Sequence, residues 1–182
     1  FNTLATIYYL KQNNLTTKVN IYSPELDANL VNSLVNFTYP KEFESIEHII
    51  FSIVENGFYT DEQFRIEVFF GDARKYILNF EEAKFDIIYQ DAFSPASNPM
   101  LWTKEYFADI KRIIKEDSVL TTYSIALATR LALYENDFTI YINSGEEYRD
   151  ATLASPSKLG GFKVVDMQHK ISCNPDASPL RD

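Results

Sequence analysis

FDIIYQDAFSPASNPMLW, residues 85–102, is the stretch on which the reading of this 182-residue chain turns. Phe85, Ile87, Ile88 and Tyr89 make a short apolar run of the kind that forms a buried strand in an α/β protein. The run stops at Asp91, and a loop holding Pro95 and Pro99 follows, bracketed by the flat rings of Phe93 and Trp102. In an open α/β sheet, ligands bind outside the carboxyl ends of the strands, so Asp91 is expected where chemistry takes place. An aspartate there serves equally well to cap the following loop or helix. Phe93 and Trp102 can stack on a planar ligand. In a chain with 15% aromatic residues, a core role suits either ring as well.

Outward from this stretch, helix and strand patterns alternate and no internal repeat is evident. Toward the amino terminus, residues 2–12 read as a helix with Leu4, Ile7, Tyr8 and Leu10 turned inward. Val19 and Ile21 mark a strand running into Ser-Pro-Glu, and Leu26, Leu30, Val31, Leu34 and Val35 repeat at helical spacing. A further helix is predicted over 42–56, closed by Gly57. Phe64, Ile66, Val68 and Phe70 alternate as a strand into Gly71-Asp72, and a short helix follows at 73–79. Toward the carboxyl terminus the pattern gives a helix at 103–115, a strand at 118–123, a helix at 125–135 and a strand at 138–143. Residues 151–155 and 162–167 read as two last strands, and the polar tail of 168–182 as irregular. This order predicts one α/β domain, residues 1–182, with a doubly wound, mostly parallel sheet.

Composition narrows the class. The chain is 46% apolar, enough for a substantial core, and no apolar run approaches the roughly 20 residues that span a bilayer. One cysteine, Cys173, excludes an intrachain disulfide, and with only His48 and His169 beside it no structural metal site is expected. Cytoplasm is the simplest compartment. The net charge of −9 opposes nonspecific attraction to nucleic acid. Lys104, Lys111, Arg112 and Lys115 form either a local basic patch or an ordinary solvated helix face.

Two more carboxylates fall at expected strand ends. Glu25 closes the strand of IYSPE, where a carboxylate can accept from both hydroxyls of a ribose. It can equally serve as a helix N-terminal charge, stabilising by about 0.3–1 kcal/mol. Asp72 follows Gly71 in a dipeptide that is common in turns. Three acidic residues at three successive strand ends are hard to assign to stability alone.

The motif DAFSPxxNPxLW resembles the signature D-[AG]-F-[AS]-P-x-x-N-P-x-[LM]-W of the tRNA wobble-uridine 5-aminomethyl methyltransferases. This is the family of the methyltransferase half of the bifunctional enzyme MnmC and its stand-alone relatives. Asp91, Phe93, Pro95, Asn98, Pro99 and Trp102 all match at fixed spacing. The resemblance implies a Rossmann-like fold dependent on S-adenosylmethionine, with tRNA as partner and no metal or membrane. It assigns catalysis to Asp91 and the cofactor to Asn2, Glu25, Gly71 and Asp72. It places Phe93, Pro95, Asn98, Trp102, Tyr123, Ser124 and Arg149 around the substrate, Tyr123-Ser124 matching a T-[YF]-[ST] element. Glu146 and Glu147 stand where the family tends to carry basic residues. The family's glycine turn, E-x-G-F-G-x-G-x-N, would precede the chain's Phe1-Asn2, so the first strand is expected to be missing and cofactor affinity to be weak. Two alternatives stay open: a methyltransferase of the same fold acting on a small molecule or protein, and a non-catalytic binding module.

Overall fold

The computed structural model describes residues 2–146 and 148–182, so expectations resting on Phe1 and Glu147 lie outside the described residues. The chain forms two compact units, residues 1–76 and 77–182, each with its own core.

The first unit runs α1 (Asn2–Gln12), β1 (Val19–Glu25), α2 (Ala28–Ser33), α3 (Glu47–Asn56), β2 (Phe58–Thr60) and β3 (Phe64–Phe70). The expected 42–56 helix is split, its first turn being a 3-10 segment over Lys41–Ile46. α3 stops at Gly57, whose φ of 73° suits glycine and whose N–H bonds the carbonyl of Ile53 at 2.9 Å. The helices between β1 and β3 supply the crossover that a parallel pair needs, and the two strands pair in parallel. β2, a strand not expected from the sequence, pairs antiparallel with β3. Its link of three residues is too short for a crossover, and Asp61 Oδ1 tightens it by accepting from the N–H groups of Gln63 and Phe64 at 2.8 and 2.6 Å. The sheet order is β1-β3-β2, over a core of Ile7, Ile46, Ile49, Phe64 and Ile66.

α4 (Ala73–Ile77) leads into the second unit: β4 (Phe85–Tyr89), α5 (Lys104–Ile113), β5 (Ile114–Thr122), α6 (Leu127–Tyr134), β6 (Thr139–Asn143), β7 (Ala151–Ser155), β8 (Lys163–Val164) and α7 (Met167–Cys173). The order is β4-β5-β7-β6-β8. Only β4 and β5 are parallel, joined through α5, while the remaining three pairings are antiparallel. The α/β architecture stands, but the sheets are mixed rather than mostly parallel. The seven residues between β6 and β7 leave no room for a crossover helix, so that pair is a hairpin. The core holds Trp102, Phe107, Leu120, Leu133, Phe138 and Ile140.

Two further expectations change. β4 is the edge strand of its sheet, so Ile87 and Tyr89 are about half exposed rather than buried. The tail is not irregular from 168 on. Asp166 caps α7 by accepting from the His169 N–H at 2.9 Å, and Met167 is buried. Beyond it, Leu180 bridges to Thr103, and Arg181 pairs with Glu105 at 2.7 Å. Among the described residues no helix is long and apolar enough to cross a membrane, and no cluster of potential metal ligands forms.

Candidate active site

In the first unit, Glu25 ends β1 directly opposite Phe70, the last residue of β3. The Gly71 N–H therefore bonds the Glu25 carbonyl at 2.9 Å. Glu25 Oε1 accepts from the Asp27 N–H at 2.9 Å, while Asp27 itself caps α2. Oε2 has no hydrogen-bond partner among the described residues. A Cβ at Gly71 would stand 2.7 Å from the Phe69 ring, which is stacked on Tyr76 at 4.1 Å between centroids. Burial, then the Glu67 carboxylate that accepts its hydroxyl at 3.0 Å, pushes the Tyr76 phenol pKa up. Asp72 is exposed and does the work of a cap: Oδ1 accepts from the Arg74 N–H at 2.8 Å. Asn2 opens α1, its carbonyl taking the Thr6 hydroxyl at 2.8 Å. A strand-end carboxylate with one oxygen in reserve suits the approach of a hydroxyl-bearing cofactor, while glycine at position 71 leaves room for the Phe69 ring.

In the second unit, β4 stops one residue short of buried Gln90, which is fastened twice. Its N–H bonds the Thr121 carbonyl at 2.9 Å, and its Nε2 bonds the Leu101 carbonyl at 2.7 Å. Asp91 is thereby set at the strand end, exposed, before the loop turns. The loop closes on itself. Ser97 and Asn98 N–H groups both donate to the Ser94 carbonyl at 2.8 Å, and Pro99 starts a 3-10 turn. Trp102 is fully buried and its Nε1–H donates to the Phe93 carbonyl at 2.7 Å. A stacking role for Trp102 thus gives way to a core role, since its ring faces no solvent. Phe93, 67% exposed, presents its ring.

Tyr123 follows β5 and lies against this loop. Its hydroxyl donates to the Ala92 carbonyl at 2.9 Å, and its ring meets Trp102 edge-on at 5.7 Å. Burial first, then the Asp91 charge, raises the phenol pKa, which keeps the hydroxyl a donor. Ser124 is buried, with its hydroxyl on Thr129 at 3.0 Å and its carbonyl accepting from Thr152 Oγ1 at 2.6 Å. It braces the turn, and at 8% exposure it offers a substrate little surface. Pro95 and Asn98 are half-buried in the loop, and Arg149 is exposed on the segment before β7.

Asp91, Phe93, Trp102 and Tyr123 are therefore brought together, as are Glu25, Gly71 and Asp72 in their own unit. The basic run of α5 does not form a free patch. Lys104 pairs with Glu135 at 2.8 Å, Lys111 with Glu116 at 3.8 Å and Lys115 with Asp86 at 2.6 Å. Arg112 donates to the carbonyls of Phe80 and Ile77 at 2.7 and 3.0 Å. Gln90, Thr152 and Arg130 were missed in the sequence, because their partners lie 11 to 31 residues away and no local pattern marks them.

Residues 41–156 match the model of a family described as S-adenosyl-L-methionine-dependent methyltransferase. An uncharacterized protein of Methanocaldococcus jannaschii, MJ0670, is 34% identical over 82 residues, 45% of this chain and 23% of that protein. The tRNA 5-methylaminomethyl-2-thiouridine biosynthesis bifunctional protein MnmC of Campylobacter hominis is 27% identical over 117 residues, 62% of this chain and 17% of that protein. The chain thus spans less than a quarter of these relatives. The crystal structure of MNMC2 from Aquifex aeolicus superposes with a TM-score of 0.83 at 28% identity, covering 100% of this chain and 58% of that one. The chain belongs to the S-adenosyl-L-methionine-dependent methyltransferases of the MnmC methyltransferase-domain family, with their Rossmann-like fold.

Proposed function

We propose that the protein methylates the aminomethyl nitrogen of 5-aminomethyl(-2-thio)uridine at the wobble position of tRNA. The observation that carries this reading is the construction of the DAFSPxxNPxLW loop, which sets Asp91 exposed at the end of β4 while the buried Trp102 indole pins Phe93. In this reading the first unit carries the cofactor residues and the second the acceptor residues.

Glu25 and Gly71, with Asp72 and Asn2 in support, would hold the cofactor: the Glu25 carboxylate would accept from a ribose hydroxyl, and Gly71 would allow the backbone to approach closely. S-adenosylmethionine, when bound, supplies an electrophilic methyl group. Asp91 would accept hydrogen bonds from the substrate amine and orient its nitrogen for attack. Asp91 positions the amine and balances its charge. The ammonium would give up its proton to buffer base in bulk solvent before attack, which frees the nitrogen lone pair. Phe93 stacks on the uracil ring, with Pro95 and Pro99 stiffening its loop. Asn98 and Tyr123 would line the acceptor side, Ser124 would act through the turn it braces, and Arg149 would contact RNA. A tRNA substrate puts the protein in the cytoplasm.

One observation favours a second reading. The net charge is −9 and the four basic residues on and after α5 are all engaged, which suits a small-molecule or protein amine as acceptor. The test is to incubate the full-length protein and methyl-labelled S-adenosylmethionine with tRNA from cells lacking this modification. Digested nucleosides should carry the label on the wobble aminomethyl nitrogen. Label on a different amine, with the tRNA ignored, would overturn the RNA reading and leave the methyltransferase one.

A further inference from the structure

Arg130 is a half-buried cation on α6 with donors to spare. Its Nε–H donates to Thr152 Oγ1 at 3.0 Å, and the fully buried Thr152 hydroxyl in turn donates a hydrogen bond to the Ser124 carbonyl. The guanidinium is thus locked in place by a single one of its five N–H donors. Among the described residues no side chain or carbonyl takes a hydrogen bond from either Nη group, and no carboxylate forms an ion pair with it. Asp150 acts on it electrostatically: burial lowers the arginine pKa and Asp150 raises it again. A guanidinium stays charged under such conditions, and a partly desolvated one with an unspent fork is suited to a bidentate anion.

The sheet register says which anion. Tyr89 of β4 pairs with Thr121 of β5, and Thr122 pairs with Thr152 of β7, so Asp91, Tyr123 and Thr152 end three adjacent strands on one edge. Neighbouring strands lie roughly 4.8 Å apart, so the β7 end stands about 10 Å from Asp91, the reach of one nucleotide from base to backbone. We infer that Arg130 binds a backbone phosphate beside the nucleotide whose amine Asp91 receives. The inference rests on the RNA reading proposed above and gives it a cation that ion pairs have not consumed.

The full-length protein is tested with an anticodon stem-loop RNA carrying 5-aminomethyluridine, by direct binding over a range of salt and by methylation. Arg130→Gln should weaken binding about tenfold and lower the salt slope by about one charge, with Arg130→Lys in between. Methylation of the free 5-aminomethyluridine nucleoside, which has no phosphate, should be the same for Arg130→Gln as for the unsubstituted protein. Thr152→Val removes the brace but keeps the cation, and should keep the salt slope. Equal affinity and slope in Arg130→Gln, or identical losses in Arg130→Gln and Thr152→Val, would overturn the phosphate role. Arg130-dependent RNA binding without wobble methylation would sink the proposed reaction alone and leave this site standing.

Discussion

The two strand-end clusters are built differently. At the ends of β1 and β3, the fold of the backbone makes the site: a parallel ladder in register brings the Glu25 carbonyl to the Gly71 N–H, and Asp27 and Asp72 cap short helices. At the ends of β4 and β5, side chains make it. Gln90, Trp102, Tyr123 and Thr152 each reach across to a carbonyl from another part of the chain. A backbone-built site keeps its fold when a side chain is changed, so a substitution there costs ligand affinity rather than stability. A side-chain-built site is one where a single substitution releases a loop.

This contrast can be broken most forcefully at Trp102. Replacing a fully buried indole by alanine costs about 3–5 kcal/mol, and here the Phe93 carbonyl loses its donor as well. Thermal or urea unfolding of Trp102→Ala should show a loss on that scale. Glu25→Ala at the partly exposed end of β1 should stay within about 0.5 kcal/mol of the unsubstituted protein. Equal losses would erase the distinction. A smaller effect is expected at Tyr123. Tyr123→Phe keeps the edge-on contact with Trp102 but drops the hydroxyl on Ala92, a loss of about 0.5–1.5 kcal/mol. Because the phenol pKa is raised, that contribution is complete below the phenol's unfolded value near 10 and fades only as pH rises through the higher folded value. The stability gap between the unsubstituted protein and Tyr123→Phe should therefore be flat from about pH 6 to 9. A gap that closes within that window would contradict the hydrogen bond.

The same contrast explains what the sequence disclosed. Period-two alternation in Phe64–Phe70, the Gly57 stop and the strand-end carboxylates are local signals, so the first cluster was legible almost residue by residue. The Asp91 loop was legible because its motif is contiguous. The sense of its rings was not: whether Trp102 or Phe93 faces solvent depends on contacts with α5, β5 and Tyr123 that spacing does not encode. The Arg130–Thr152–Ser124 chain joins residues 22 and 28 positions apart and left no trace in any periodicity. The sheets read as mostly parallel because helix–strand alternation is the visible pattern, whereas the lengths of the β2–β3 and β6–β7 links decide the direction of pairing. α7 was hidden by the polar composition of the tail, although Asp166 stands at its cap position.

If Glu25 serves the cofactor and Asp91 the acceptor amine, as proposed, crossed substitutions separate the two roles. S-adenosylmethionine affinity and single-turnover methylation of undermethylated tRNA are measured on the full-length protein for Glu25→Ala and Asp91→Asn. Glu25→Ala should weaken cofactor binding by about 1–3 kcal/mol, with single-turnover rates at saturating cofactor close to those of the unsubstituted protein. Asp91→Asn should leave cofactor affinity nearly unchanged while the rate falls by at least roughly 10²-fold, since the amide keeps the shape but loses the charge that orients an ammonium. An Asp91→Asn protein that methylates at the unsubstituted rate, or that loses cofactor affinity as Glu25→Ala does, would contradict the account.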